Sequence, residues 1–170
     1  MHRNIVEICR EHGVRRLEIA EKAKSVEEWV ALWHDPPHAY LFNWGDCWKA
    51  TIEYRVEDFS AEIGFWIDIV ALECNVLSSD FAMVLSPDHH FCISIKRAED
   101  GDITPANAIS IQFMLKDVCR VAAELEERGV HFEKEVAPET PGGSLYHGVL
   151  RTPSGIAVEL YGVEDQHSPE

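Results

Sequence analysis

Long apolar runs are missing from this 170-residue chain. None approaches the roughly 20 residues that a membrane-spanning helix needs, so no membrane partner is expected. Positive charge is scarce: 15 Lys and Arg stand against 30 Asp and Glu, a formal net charge of −15. An acidic surface with no Lys/Arg cluster repels phosphate, which argues against nucleic acid as a partner. Paired cysteine spacings are absent as well. Cys9, Cys47, Cys74, Cys92 and Cys119 are scattered, odd in number and without a CxxC, so buried reduced thiols are expected rather than a disulfide framework. Met1-His2-Arg3-Asn4 leads into a charged amphipathic stretch instead of an apolar signal-peptide core, and the cytoplasm is the expected location.

What is present is the balance of a globular domain, 46% hydrophobic and 26% charged, long enough to bury a real core. Residues 1–49 stand apart. Residues 1–24 carry six basic and four acidic side chains, which leaves −17 for the remainder. Ser25 with Glu28 fits a capping box. Val26, Trp29, Val30 and Trp33 follow at helical spacing, and Pro36-Pro37 ends that helix. Tyr40-Leu41-Phe42 reads as a short strand. Ile8 to Leu17 is similar to the opening of small nucleotidyltransferase domains but lacks their Gly-Ser and paired aspartates. Leu17 to Ala23 hints at a helix-turn-helix without a basic recognition helix. A helical extension is the expectation for 1–49.

The rest repeats itself. Residues 50–97 read strand, helix, strand, strand, strand, and 109–162 read the same way after a polar linker at 98–108. Each copy has an aspartate, Asp58 or Asp117, after its first strand and before an amphipathic helix. The first helix is expected over Phe59–Ile69, with Phe59, Ile63, Trp66 and Ile67 or Val70 inward. The second runs from Val118 to Arg128, with Val121, Leu125 and Cys119 or Ala122 inward and Gly129 as its stop. The remaining strands fall near 72–77, 81–86, 90–97, 130–135, 145–151 and 156–161, and the tail from 163 frays.

A four-stranded sheet with one helix covers only one of its faces, so two such modules side by side form an eight-stranded, incompletely closed barrel around a cup. The fold class is α+β. Strand alternation points Thr51, Glu53 and Arg55, then Ser110, Gln112 and Met114, into the cup. If Ile156, Val158 and Leu160 face the helices, Ala157, Glu159 and Tyr161 face the cup. If Phe91, Ile93 and Ile95 face the helices, His90, Cys92, Ser94 and Lys96 face the cup. Parity leaves His147 open, in step with Val149 and opposite Gly148. Trp44, Trp48, Tyr161 and Met114 are either pocket lining or plain core.

These residues carry a resemblance. Tyr54-Arg55-Val56-Glu57-Asp58, Gly64-Phe65-Trp66-Ile67-Asp68, Leu125 to Val130 and, most of all, Leu150-Arg151-Thr152-Pro153-Ser154-Gly155-Ile156-Ala157-Val158-Glu159-Leu160 resemble the vicinal oxygen chelate superfamily. That superfamily holds glyoxalase I, bleomycin-resistance proteins and extradiol dioxygenases. Thr152 and Ser154 replace its usual aspartates, and Ala71 stands where a glycine commonly ends the first helix.

Metal enzymes of that superfamily take one ligand from each of four strands. The resemblance places those positions at Thr51, about Ser94, Ser110 and Glu159. Only Glu159 is a competent ligand, because neutral hydroxyls bind divalent cations weakly. No metal and no other cofactor is therefore expected. A displaced set of Glu53, Glu159 and a histidine is the alternative. Arg55 sits where glyoxalase I has an arginine for its substrate's carboxylate; a salt bridge to Glu53 or Glu159 competes with that role. Glu159 is the candidate catalytic residue, either as a general base or as a buried carboxylate with a raised pKa, against a structural partnership with Arg55 or Gln112. Cys92 is a weak candidate nucleophile.

Three functions fit. The first is a metal-free protein binding a small molecule in the cup through Glu53, Arg55, Ser94, Ser110, Gln112, Met114 and Tyr161. The second is a metal-dependent lyase, isomerase or dioxygenase built on Glu159. The third is an interaction module working through the N-terminal helices. The resemblance also implies a homodimer, since the superfamily's cup is often completed between chains.

Overall fold

The computed structural model describes residues 4, 6, 7, 9–11, 14, 18, 21–34 and 50–163. The expected strand at Tyr40–Phe42, with Trp44, Cys47 and Trp48, lies outside the described residues. The chain divides into two compact units, Met1–Trp48 and Lys49–Glu170. In the first, helix α1 spans Val26–His34. Its cap forms as expected from Ser25, whose Oγ accepts from the Glu28 N–H at 3.2 Å. The Glu28 carboxylate reaches back one residue further than the usual box, to the Lys24 N–H at 2.7 Å.

In the second unit, each repeat starts its helix on its aspartate. Asp58 Oδ1 accepts from the Ala61 N–H and Asp117 Oδ1 from the Arg120 N–H, both at 3.1 Å. The first module comprises β1 (Ile52–Val56), α2 (Phe59–Gly64), β2 (Glu73–Leu77), β3 (Phe81–Leu85) and β4 (Cys92–Arg97). The second comprises β5 (Ser110–Leu115), α3 (Val118–Glu127), β6 (Phe132–Pro138), β7 (Tyr146–Arg151) and β8 (Ala157–Gly162). Two four-stranded sheets result, ordered β1-β4-β3-β2 and β5-β8-β7-β6. In each the first strand runs parallel to the last and the other pairs are antiparallel. The barrel is not closed.

The turns between the last two strands of each module match. Thr152 O accepts from the Gly155 N–H and Ser86 O from the His89 N–H, both at 2.8 Å. The same two residues use their hydroxyls to accept from Ile156 N at 3.2 Å and Phe91 N at 3.1 Å.

One core joins the modules. Tyr54, Val56, Trp66, Ile93 and Ile95 from the first pack with Ile111, Leu150, Ile156, Val158 and Leu160 from the second. Phe91 bridges the seam, with its ring 6.2 Å from Trp66 and 5.1 Å from Phe113.

The expected helix over Phe59–Ile69 is not one α-helix. It is α-helical to Gly64 and widens into a π turn over Phe65–Ile69, where Val70 N donates to Phe65 O at 3.0 Å. The extra residue in that turn rotates the buried stripe by about 100°. Phe59, Glu62, Phe65 and Trp66, at α-helical spacing up to the turn, are buried; past Trp66 the apolar face is spread over Ile67, Ile69 and Val70, all only partly covered, as is Ile63. The π turn ends at Ala71, whose φ of 66° is left-handed. Ala71→Gly should therefore stabilise the protein by about 0.5–1 kcal/mol, the relieved strain exceeding the added chain entropy; urea denaturation would measure it.

The other helix agrees more closely with expectation. Val118, Ala122 and Leu125 are buried, with Cys119 and Val121 partly so. Strand β6 begins later and runs further than the expected 130–135. Register shifts at Phe132/Lys134 and Lys134/Ala137 break the alternation from which a strand is read.

Candidate ligand-binding site

Register assembles the site. In the second sheet Glu159 lies opposite Gln112 on one side and opposite Val149 on the other, and His147 lies opposite Tyr161. Directly paired residues share a face, which puts His147 on the Glu159 face and sends Gly148 and Leu150 toward the helices.

Glu159 is the hub. Its Oε1 accepts from Ser110 Oγ in a short hydrogen bond and from Gln112 Nε2 at 3.4 Å. Its Oε2 accepts from the Tyr161 hydroxyl at 2.9 Å and faces His147 Nε2 at 3.2 Å. The His147 ring lies flat on that of Tyr161, with centroids 4.1 Å apart and planes 2° apart. On its other side, His147 Nδ1 meets Glu139 Oε1 at 2.5 Å and Lys134 Nζ at 2.8 Å. A carboxylate oxygen offers about two acceptor sites, so four partners leave this group little free acceptor capacity.

Hydrogen bonds from Ser110, then Tyr161 and Gln112, with the nearby His147 charge, hold the Glu159 carboxyl below its ordinary range and outweigh its partial burial. This corrects the expectation of a raised pKa, which assumed burial without donors. Tyr161 moves the other way, its hydroxyl held protonated chiefly by its bond to Glu159. Glu139 is lowered by Lys134 and His147, and Glu133 by Arg151.

For such depressed carboxyls the stabilisation is present above the unfolded-state pKa of about 4.3 and is lost as pH falls through the native value. Urea denaturation at stepped pH should therefore show stability declining below about pH 4.5, with a shallower decline in Glu159→Gln.

The remaining candidates stand elsewhere. Met114 shares the Glu159 face but is 75% exposed and not part of the cluster. In the first sheet, Ser94 is only 2% exposed, and its hydroxyl shares a 3.2 Å bond with Thr51 Oγ1. Arg55 is not bonded to Glu159. It makes a short ion pair with Asp102 and approaches Glu53 at 3.7 Å. The linker also covers the β1 edge there: Thr104 N donates to Arg55 O, and Arg55 N to Thr104 Oγ1, each at 2.9 Å.

A cavity of about 410 Å³ opens where the modules meet, lined by Thr51, Phe91 and Cys92 from the first and by Ile109, Ser110 and Gln112 from the second. Its second-module rim is formed by the two residues that donate to Glu159 Oε1.

These donors do not fit a divalent metal. Thr51 and Ser94 bond each other, and Ser110 is spent on Glu159. The displaced set of Glu53, Glu159 and a histidine does not assemble either: no group of three His, Cys, Asp or Glu able to hold a metal occurs among the described residues. His147 shows why. Its two ring nitrogens point at opposite carboxylates, so the three side chains do not converge, and the Lys134 ammonium occupies one end.

Sequence reasoning left His147 undecided and missed Glu139 and Lys134. The signal for His147 was its count back from the turn: Gly155 and the turn's bonding fix the β7–β8 register and hence its face.

No protein-family model matches the chain, and no curated protein matches it in sequence. Solved structures do match. A glyoxalase/bleomycin resistance protein/dioxygenase from Nocardioides superposes with a TM-score of 0.56 at 14% identity, over 71% of this chain and 86% of the other. The bleomycin-binding protein of bleomycin-producing Streptomyces verticillus, complexed with copper(II)-bleomycin, gives 0.51 at 24% identity, over 68% and 95%. An antibiotic-binding protein from Streptomyces sp. CB03234 gives 0.53 at 15% identity, over 67% and 93%. The fold is thus that of the glyoxalase, bleomycin-resistance and dioxygenase proteins, as the resemblance to the vicinal oxygen chelate superfamily implied.

Proposed function

We propose that this chain is a binding protein for an amphipathic small molecule, held at the seam cavity and on the Glu159 face of the second sheet. The observation that carries this reading is the saturated Glu159 hub beside a cavity lined by both modules. A carboxylate with four partners is poorly suited to take a further proton. It is well suited to fix Ser110, Gln112, Tyr161 and His147 as a preorganised polar surface. Next to them the cavity supplies apolar wall from Phe91 and Ile109, the mixture typical of small-molecule sites. Glu159 then acts through the groups it orients. Likeness in fold to a bleomycin-binding and an antibiotic-binding protein supports the ligand class. A second copy would close the open face around Met114, which gives the homodimer a physical reason.

The test is calorimetry and thermal shift with bleomycin, metal-free and copper-loaded, followed by a panel of amphipathic antibiotics. At least one should saturate the protein, with affinity reduced about tenfold or more in Glu159→Gln, where the amide presents an N–H to a donor. Saturable binding that Glu159→Gln leaves unchanged would remove Glu159 from the site. No binding across the panel would remove the reading.

A further inference from the structure

A second cavity lies on the other side of the same sheet. Leu160 and Val158 alternate with Glu159 along β8, and Phe113 alternates with Gln112 along β5, so the lining belongs to the helix-facing side. The space is about 220 Å³, bounded by Phe65 and Ile69 of the π turn and by Leu125 of α3.

Two independent features distinguish it from a packing gap. Its wall is the π turn, closed by the left-handed Ala71 at the rim, and a strained backbone beside a cavity is a recurrent mark of binding sites. At its mouth stands Arg128. One guanidinium nitrogen, Nη1, makes a short bond to the Ile69 carbonyl, which the helix end would otherwise leave unpaired. The other guanidinium donors have no protein partner among the described residues. Glu124, the acid on the same rim, is held by Arg120 at 2.5 Å and does not neutralise Arg128.

We propose that this crevice is a separate binding site for a small monocarboxylate with an apolar body. The carboxylate pairs with Arg128, and the body packs against Phe65, Phe113 and Leu160. The size fits: a dry cavity of about 150 Å³ accepts benzene, so about 220 Å³ holds an aromatic ring with a short side arm, or a short aliphatic chain. The planar fork of Arg128 favours a carboxylate over a neutral amide. The site shares no residue with the Glu159 cluster and does not depend on what binds there.

Methyl-labelled protein titrated with phenylacetate and hexanoate, followed by NMR, tests it, with phenylacetamide as the uncharged match. The expected result is saturable shifts at the methyls of Ile69, Val121, Leu125 and Leu160, with the Ser110 and Gln112 amides unmoved. Affinity should fall about tenfold in Arg128→Gln and for phenylacetamide. Val121→Trp, which fills the crevice from α3 while retaining Arg128, should abolish saturation, whereas Glu159→Gln should leave it intact. Three results would overturn the proposal: no saturation at millimolar acid in the unmodified protein, shifts centred on the Glu159 strand, or equal affinity with Arg128→Gln.

Discussion

Glu62→Ala should cost about 3–5 kcal/mol of folding stability, a large fraction of what a domain this size possesses. Glu62 is fully buried. Its Oε1 accepts from the Tyr54 hydroxyl at 2.6 Å and from Trp66 Nε1 at 3.2 Å, and its Oε2 accepts from the Ser154 N–H at 3.0 Å. With the carboxylate gone, Trp66 keeps Tyr54 as an acceptor at 2.6 Å, but the Tyr54 proton and the Ser154 amide are left unpaired. Each orphaned donor costs about 1–3 kcal/mol, and the vacated volume adds a cavity term.

Glu62→Gln keeps one acceptor oxygen and should lose only about 1–2 kcal/mol, because one of the two donors then faces an amide N–H. Burial first, and the Glu62 charge second, push the Tyr54 phenol far up, so it stays a donor at any ordinary pH. Urea denaturation of both variants, beside Tyr54→Phe, checks the assignment. Equal stabilities for Glu62→Ala and the parent would remove Glu62 from the core network.

The second large effect is steric. A Cβ on Gly162 would lie 2.2 Å from the Leu115 carbonyl oxygen and 3.0 Å from its carbon, both backbone atoms paired across the β5–β8 ladder. Neither can swing aside as a side chain would. Gly162→Ala should therefore cost about 3 kcal/mol and force the strands apart. The helix start feels it as well, since Val118 N donates to Val163 O at 3.2 Å and Val118 Cβ would be 3.2 Å from the new methyl.

Because the same two strands carry Ser110, Gln112, Glu159 and Tyr161, amide shifts at those residues should move with stability. Gly129 supplies the contrast. Its φ is 87° with nothing within 4 Å of an added Cβ, so Gly129→Ala should cost only about 1 kcal/mol, from backbone conformation alone, and leave the site undisturbed. Equal costs for the two variants would mean that the close approach to Leu115 relaxes readily.

The repeat was legible because its signals are local. An aspartate cap, an amphipathic helix and alternating strands each act over a few residues. The same alternation brought Ser110, Gln112, Glu159 and Tyr161 onto one face. Two kinds of information were out of reach. Glu62 sits on a helix where a charged residue ordinarily marks the solvent side, and its burial depends on an amide 92 residues away. The π turn likewise defeats a stripe counted at 3.6 residues per turn. Arg55 and Glu53 did fall on one strand face, but the pairing of Arg55 with Asp102 depends on where the linker folds. The replacement of an aspartate by Ser154 makes sense only beside Glu62, which a second carboxylate would repel. Ser154 Oγ itself is buried without a partner among the described residues.

Glu62 also decides whether the two copies could exchange places. Four residues after the capping aspartate the first copy has Glu62 and the second has Val121; at the matching turns the first has Asp88 and the second Ser154. A protein assembled from two first copies would set Glu62 against Asp88, carboxylate to carboxylate. One assembled from two second copies would offer Val121 to the Ser154 amide and leave it without an acceptor. The halves are therefore not interchangeable. The division is complementary: the first half supplies the carboxylate and the second the turn amide that it accepts from.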